Sequence, residues 1–425
     1  MPAVGSPLTS SRLRRIVIGY TVNRLGTWFG FVALSVVVFD HTHSALAVGA
    51  LLLMSQVLPA FLVPALVARV EQSTRRGELS ALYLFEASTS ALLVGLLLWR
   101  FSLAPVLLLV ALDGTAALAA SALLRAAAAR SAREWSAAMR DQGHQANELD
   151  AERRANAALN LGFAVTFVLG PALAGVVVPA LGVPAALVID AVSFAICAAL
   201  LTDITPHVED AEGATVRERL LAARSYIGAA GTLRSLMVTE AVALAFFEFS
   251  PPIEVAYAKV SLHAGDGGYG LLLGTWGLGV AVGSIVFARS IGRSLGMLLS
   301  VSTLAVGVAY LGWAAAPTLT LACLAGLIGG VGNGMQWAAM ISAVQRLTPE
   351  RLHGQMMGFL ESIGAIAPGI GFALGSAIVA LSSPRVAFLV AGIGASLSTI
   401  AFTRLRIGVP GAPEGRERDA EALPV

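Results

Sequence analysis

Apolar runs long enough to cross a bilayer recur from one end of this 425-residue chain to the other, and no other feature restricts its fold so tightly. A helix needs about 20 apolar residues to span a hydrocarbon core of ~30 Å. Charged residues make up 13% of the chain, about half the ~25% of ordinary soluble domains. The expectation is an all-α polytopic membrane protein embedded in a lipid bilayer. The formal net charge is only +2, so no strongly basic surface points to nucleic acid.

Hydropathy places twelve spans, at roughly 16–38, 46–68, 79–99, 103–124, 157–178, 183–202, 235–257, 268–288, 294–315, 318–342, 355–379 and 386–403. Basic residues precede the first run, as in a signal peptide. That run is long, has no small-residue cleavage site and leads into further spans, so it reads as a retained helix. With the N-terminus in the cytoplasm, 24 of the 28 Lys and Arg residues fall on that side. Arg100, Lys259 and Arg385 fall outside, and Arg24 lies within a span. Cationic excess in cytoplasmic loops sets orientation, which puts both termini inside and makes the number of spans even.

The long polar break from Asp203 to Arg234 divides the spans six and six. The organisation is a six-helix bundle at 1–202, a cytoplasmic linker at 203–234, a second six-helix bundle at 235–407 and a disordered tail at 408–425 rich in Pro, Gly and charge. Within the linker, TVRERLLAARSYIGAAGTL reads as an amphipathic surface helix. The insert from Arg130 to Arg154 reads as a solvated surface helix between spans 4 and 5. All but one of the cationic residues are arginine, which suggests a GC-rich bacterial genome and hence the bacterial inner membrane.

Several chemistries are excluded. The single lysine, Lys259, lacks the preceding glycines of a phosphate-binding loop, so the chain has no such ATP site. Cys197 and Cys323 fall inside apolar spans and read as small buried residues. His41 and His43 are two ligands on an outer loop, too few for a metal site, and no histidine relay crosses the membrane. The glycines of GLLLGTWGLGVAVG and GLIGGVGNGM follow no strand, so they read as close helix packing and not as nucleotide fingerprints. No nucleophile–base pair gathers at one depth, so an enzyme is not expected, nor is any metal or cofactor.

The stretch from Ala155 to Val178 repeats small residues every fourth position: Ala158, Gly162, Thr166, Gly170 and Ala174. Such a ridge lets a neighbouring helix backbone approach closely. Pro171 removes a backbone donor, so the helix can bend there. Small ridges serve static packing as well as moving interfaces, and the motif alone leaves both open. The two halves also echo each other. ARVEQSTRRGE follows span 2 and ARSIGRSLG follows span 8; AERRANAALNLG enters span 5 and PERLHGQMMGFL enters span 11. Spans 5 and 11 then carry Gly170-Pro171 and Pro368-Gly369. Weak internal repeats of this kind mark transporters built from duplicated halves.

Over nearly its whole length the chain resembles the major facilitator superfamily, through the span count, the central loop and the basic loops after spans 2 and 8. LGPALAG in span 5, with Gly170, Pro171 and Gly175, is similar to the proline–glycine signature of the exporter branches, although Thr166 and Ala174 replace two usual glycines. NRLGTWFGFVALSVVVFDHTHSALAVGALLLMSQVLPAFL and VIDAVSFAICAALL resemble the drug, macrolide and siderophore exporters. The resemblance implies two pseudo-symmetric six-helix bundles, with Gly162, Gly170, Pro171, Gly175, Arg75 and Arg76 in conformational motifs. Ala68 stands where the family carries an acid before the basic cluster, with Glu71 nearby as a substitute. Asp113-Gly114 stands where an arginine is usual in span 4.

In that family spans 1, 4, 7 and 10 line the central cavity. Polar and aromatic candidates there are Asn23, Arg24 and Trp28, Asp113, Phe246 and Glu248, and Asn333, Gln336 and Trp337. A charge facing lipid costs a few kcal/mol, so these groups are expected to face a cavity or one another. Arg24 is expected to pair with Asp113. Glu240, Glu248 and Asp113 are the candidates for proton coupling. Glu86 and Asp190 sit on supporting spans, where packing or interfacial roles are expected, and Glu361 ranks below the other acids. The expected function is secondary active export of small amphipathic or drug-like molecules by proton antiport, as a monomer, of the kind that gives multidrug resistance. Uptake or facilitated diffusion, or a non-transporting sensor or assembly protein that kept the fold, stay open as alternatives.

Overall fold

A computed structural model of the chain describes residues 7–63, 77–144, 146–204, 228, 230–290, 292–349, 353–405 and 407. The described residues are helical, with no strand among them. In chain order the helices are α1 (Ser11–Thr42), α2 (Ala45–Val63), α3 (Glu78–Trp99), α4 (Leu103–Asp141), α5 (Glu148–Leu181) and α6 (Val183–Leu200). The second set is α7 (Gly231–Ser261), α8 (Gly265–Arg289), α9 (Leu295–Ala315), α10 (Leu319–Arg346), α11 (His353–Leu381) and α12 (Pro384–Thr403). Eleven of them are long and apolar enough to cross a membrane, and Ile366–Leu381 of α11 is a shorter apolar stretch in the remaining position. Exposed Leu92, Leu98, Leu161, Val176 and Leu397 are the outward apolar side chains a bilayer requires.

The described residues gather into two compact units, one within Met1–Gly213, Phe249–Gly277 and Phe372–Ala387, the other within Ala214–Glu248, Leu278–Gly371 and Phe388–Val425. Helices α7, α8, α11 and α12 therefore change unit partway along. In α7 the helix breaks at Glu248–Phe249 and restarts at Ser250. Pro251 and Pro252 lie in the first turn of the new segment, where a missing N–H is tolerated but the preceding helix cannot continue. Two wide π-helical turns interrupt the ladder, at Leu53–Val57 in α2 and Tyr257–Ser261 in α7. The helix α5, by contrast, runs unbroken through Pro171 and Pro179.

The core of the first unit packs Leu13, Ile16 and Tyr20 of α1 against Leu79, Tyr83, Leu123, Leu159, Phe194 and Cys197. In the second unit Tyr310 and Trp313 of α9 meet Phe388 of α12, with ring centroids 4.9–5.7 Å apart. Tyr310 also donates to the Phe247 carbonyl at 2.8 Å, across to the end of α7's first segment.

The insert between spans 4 and 5 is not a separate surface helix. The 39 residues of α4 extend roughly 58 Å at ~1.5 Å each, far beyond a ~30 Å hydrocarbon core. Both α4 and α5 continue past the apolar region and are tied together there by Arg133–Glu152 at 2.8 Å and Arg140–Glu148, with Arg12–Glu134 at 2.7 Å fastening α1. Arg15 grips Asp203 with both guanidinium arms, at 2.9 and 2.7 Å, and holds its carboxyl below the usual aspartate range. Ala68, Glu71, Arg75 and Arg76, most of the 203–234 linker and the 408–425 tail lie outside the described residues, as does the side chain of Glu361.

The small-residue ridge of α5 is buried at Gly162, Thr166, Gly170 and Ala174. A Cβ on Gly162 would collide with Thr21 of α1, and one on Gly170 with the Trp28 ring. On another side α5 packs antiparallel to the first half of α8. Gly270 lies against Gly175, Gly274 against Ala172 and Gly277 against Phe167 and Val168. Further along α8, Gly279 and Gly283 lie on the α10 backbone at Leu327–Val331. Overpacking such contacts typically costs ~1–3 kcal/mol. Gly270→Val is therefore expected to lower the thermal unfolding midpoint. Gly95→Ala, which has open space around it, should raise it slightly or leave it unchanged.

Candidate functional site

Within the first unit, Asn23, Arg24 and Trp28 of α1 and Asp113 of α4 are each half-buried. Trp28 stands edge-on to Phe167 of α5, 5.3 Å between ring centroids. The expected Arg24–Asp113 ion pair is not formed. Arg24 Nη2 donates to Ser121 at 3.2 Å, and its guanidinium lies over the rings of Tyr20 (5.4 Å) and Phe163 (5.8 Å). Ser121 is eight residues past Asp113 on α4, an axial distance of about 12 Å, which leaves the carboxylate beyond the guanidinium's hold. Aromatic faces supply attraction to a cation without a counter-ion.

Asp113 engages α3 instead. The Thr89 hydroxyl oxygen lies 2.5 Å from Asp113 Oδ1 and 2.8 Å from the Glu86 backbone carbonyl oxygen. Glu86 itself is fully buried, with no hydrogen-bond partner on either carboxyl oxygen. Asp190 of α6 accepts from Ser90 of α3 at 3.1 Å through Oδ2, while its Oδ1 is unpartnered. Glycines of α1 make the room for it, since a Cβ on Gly30 would stand 2.7 Å from Asp190 Oδ2. An interfacial role for Glu86 and Asp190 is thus ruled out by their place in the interior between α1, α3 and α6.

Also in this unit, Glu254 of α7 accepts from Ser250 at 2.5 Å and leaves Oε2 unpartnered in a buried position. Sequence reading passed over this acid, although its place within an apolar span was the available signal. At the nearby helix ends, Lys259 lies 2.5 Å from both Asp40 of α1 and Asp266 of α8. His41 stacks on Phe101 with ring centroids 4.2 Å apart, and its Nδ1 contacts the Val37 carbonyl at 2.9 Å.

The second unit holds Glu240, Phe246 and Glu248 of α7 and Asn333, Gln336 and Trp337 of α10. Glu240 is fully buried and Gln336 is 1% exposed, and the Gln336 amide donates to Glu240 Oε2 at 2.7 Å. Glu240 Oε1 has no partner. Although Glu240 lies near one end of its span in sequence, α7 and α10 withdraw it from water. Phe246 lies over Gly394 of α12. Glu248 closes α7's first segment against Gly371 of α11, while Asn333 is half-buried and Trp337 is exposed.

These helices make up a polytopic membrane protein with the major facilitator fold. Residues 236–424 match the family model described as Major Facilitator Superfamily. No curated protein matches the sequence. Among solved structures, the nucleoside transporter NupG superposes with a TM-score of 0.69 at 13% identity, covering 93% of this chain and 98% of that one. A bacterial homologue of the iron transporter ferroportin in an inward-facing state gives 0.66 at 17% identity, covering 92% and 98%. A bacterial homologue of the human lysosomal transporter Spinster, inward-facing and unoccupied, gives 0.64 at 14%, covering 95% and 96%.

The Glu240–Gln336 contact yields a direct expectation. Gln336→Leu leaves a buried carboxyl without its donor, which costs about 1–3 kcal/mol, whereas replacing both partners with leucine is close to neutral. Thermal unfolding of the two single variants and the double variant measures the difference.

Proposed function

We propose that this chain belongs to the major facilitator superfamily and is a secondary active transporter. Its cargo is a small amphipathic or drug-like molecule, exported across the bacterial inner membrane in exchange for protons. Both termini face the cytoplasm and the monomer is the working unit. Asn23, Arg24, Trp28, Asp113, Phe246, Glu248, Asn333, Gln336 and Trp337 border the substrate path, and Glu240, Glu248 and Asp113 couple it to protons.

The observation that carries this reading is the Glu240–Gln336 pair, a carboxyl withdrawn from water and held by a neutral amide. A carboxyl in that setting is inexpensive to bury while protonated and gains from opening to water when ionised. That difference couples proton release to a change of access. The export direction is supported by LGPALAG in α5, whose Gly175 touches α8 backbone at Gly270.

In this reading the Lys259 end faces outward. Asp40 belongs to the first six helices and Lys259 and Asp266 to the second six, so outward opening separates Lys259 from Asp40. Removing the lysine charge favours the outward-open form. Lys259→Met should therefore increase labelling, from the outer side, of a single cysteine placed at Trp28.

Reconstituted vesicles test the whole proposal. An imposed pH gradient should drive substrate uphill in the wild type, and Glu240→Gln or Glu248→Gln should abolish the gradient dependence while leaving downhill movement. Gradient-driven transport that survives both substitutions would remove protons from the mechanism.

A further inference from the structure

Three carboxyls meet inside the first six helices, on α3, α4 and α6, and two of them have no part in the reading above. Glu86, Thr89 and Ser90 share one face of α3, where Thr89 lies against Asp113 of α4 and Ser90 donates to Asp190 of α6 at 3.1 Å. The buried core of this unit also holds the ionisable side chains Tyr20 of α1, Tyr83 of α3 and Cys197 of α6. The helix α2 carries no titratable residue from Ala45 to Val63, and the buried positions of α5 bring none. Of the nearby cations, Arg24 donates to Ser121 and lies over two aromatic rings, and Arg125 donates to the Tyr20 hydroxyl at 3.0 Å.

Two observations beyond the grouping of acids point to what the cluster holds. First, the Thr89 hydroxyl lies within hydrogen-bond distance of two acceptors, Asp113 Oδ1 and the Glu86 carbonyl. A hydroxyl has one proton to give. Both contacts are fully met when the Thr89 proton goes to the carbonyl and Asp113 supplies a proton of its own to the Thr89 oxygen. Second, the fully buried Glu86 side chain has no partner on either oxygen. An ionised carboxylate left so would be far costlier than a neutral acid.

We infer that Glu86, Asp113 and Asp190 form a proton-binding site inside the first six helices, with Thr89 and Ser90 as its hydroxyl relays. A proton arriving from water forms an O–H bond on one carboxylate, and its departure restores the anion; no other bond changes. The site rests on the proton-coupled reading above and adds a second proton store to Glu240, on the other six helices. Gly30 holds space for Asp190 and Gly26 for the neighbouring Ser193, so α1, which carries Arg24 and Trp28, packs directly on the site.

Infrared difference spectra of the full-length protein, reconstituted without substrate or gradient, test this directly. Shifting the medium from acid to alkaline pH should remove absorbance from protonated-carboxyl C=O stretches. Glu86→Gln and Asp190→Asn should each lose part of that signal, and Glu240→Gln should lose a different part. Glu86→Asp should restore the part lost in Glu86→Gln. If Glu86→Gln does not fold, Asp190→Asn and the wild type still decide. Spectra unchanged by Asp190→Asn, or a wild type with no titrating carboxyl band, overturn the inference. A cluster signal in a protein whose transport ignores the pH gradient would sink the antiport reading and leave the site standing. Proton-driven transport with no cluster signal would do the reverse.

Discussion

Close approach of helix backbones is the constraint on which this architecture depends. Lipid tails are as apolar as leucine, so burial of apolar side chains does little to bring spanning helices together, and van der Waals packing has to do it. Glycine supplies that packing by removing the Cβ. It lets α5 lie on α1 at Gly162 and Gly170 and on α8 at Gly175–Gly270, and lets α8 lie on α10 at Gly279 and Gly283. Along α8 one continuous run of glycines thus serves two partners, α5 with its first half and α10 with its second.

Against that background, polar groups inside the spans stand out by their cost. The chain handles them in two ways. Arg24 is surrounded by Tyr20, Phe163 and a serine hydroxyl, so its guanidinium is met by π-faces. The acids are placed next to neutral donors: Thr89 and Ser90 beside Asp113 and Asp190, Ser250 beside Glu254, Gln336 beside Glu240. The ion pairs Arg12–Glu134, Arg133–Glu152 and Lys259–Asp40 lie toward the helix ends, where water shares the cost. Neutral donors leave a buried acid free to exchange a proton without leaving a cation stranded, which a tight salt bridge would not permit.

The sequence made some of these features legible and hid others. The ridge in α5 was readable because spacing by four keeps residues on one helix face whatever the neighbours are. The glycine-rich stretches of α8 and α10 likewise read as packing. For Glu86 and Asp190 the sequence left packing and interfacial roles open, because span number says little about which face of a helix turns inward, and Glu254 was passed over beside Glu248. The break in α7 has a local cause in Pro251 and Pro252, yet Pro171 and Pro179 of α5 leave no break. The same residue type therefore gives opposite results, depending on whether neighbouring helices hold the segment straight. The insert after span 4 looked like a separate helix because its charge resembles a surface segment. The ion pairs that make it an extension of α4 and α5 join residues on different helices.

By itself, the order of residues determined that the chain is a series of apolar helices and the faces on which small residues lie. Those properties follow from hydropathy and from the 3.6-residue period, which act within one segment. Tertiary structure alone decided that Arg24 turns to Ser121 and the aromatic rings, that Glu240 meets Gln336, and that Glu86, Asp113 and Asp190 share one interior. Each of these depends on how far neighbouring helices are rotated and displaced along their axes. A rotation of one residue, about 100°, moves a carboxyl from a neighbour's hydroxyl to the lipid, and no local pattern in the chain records that angle.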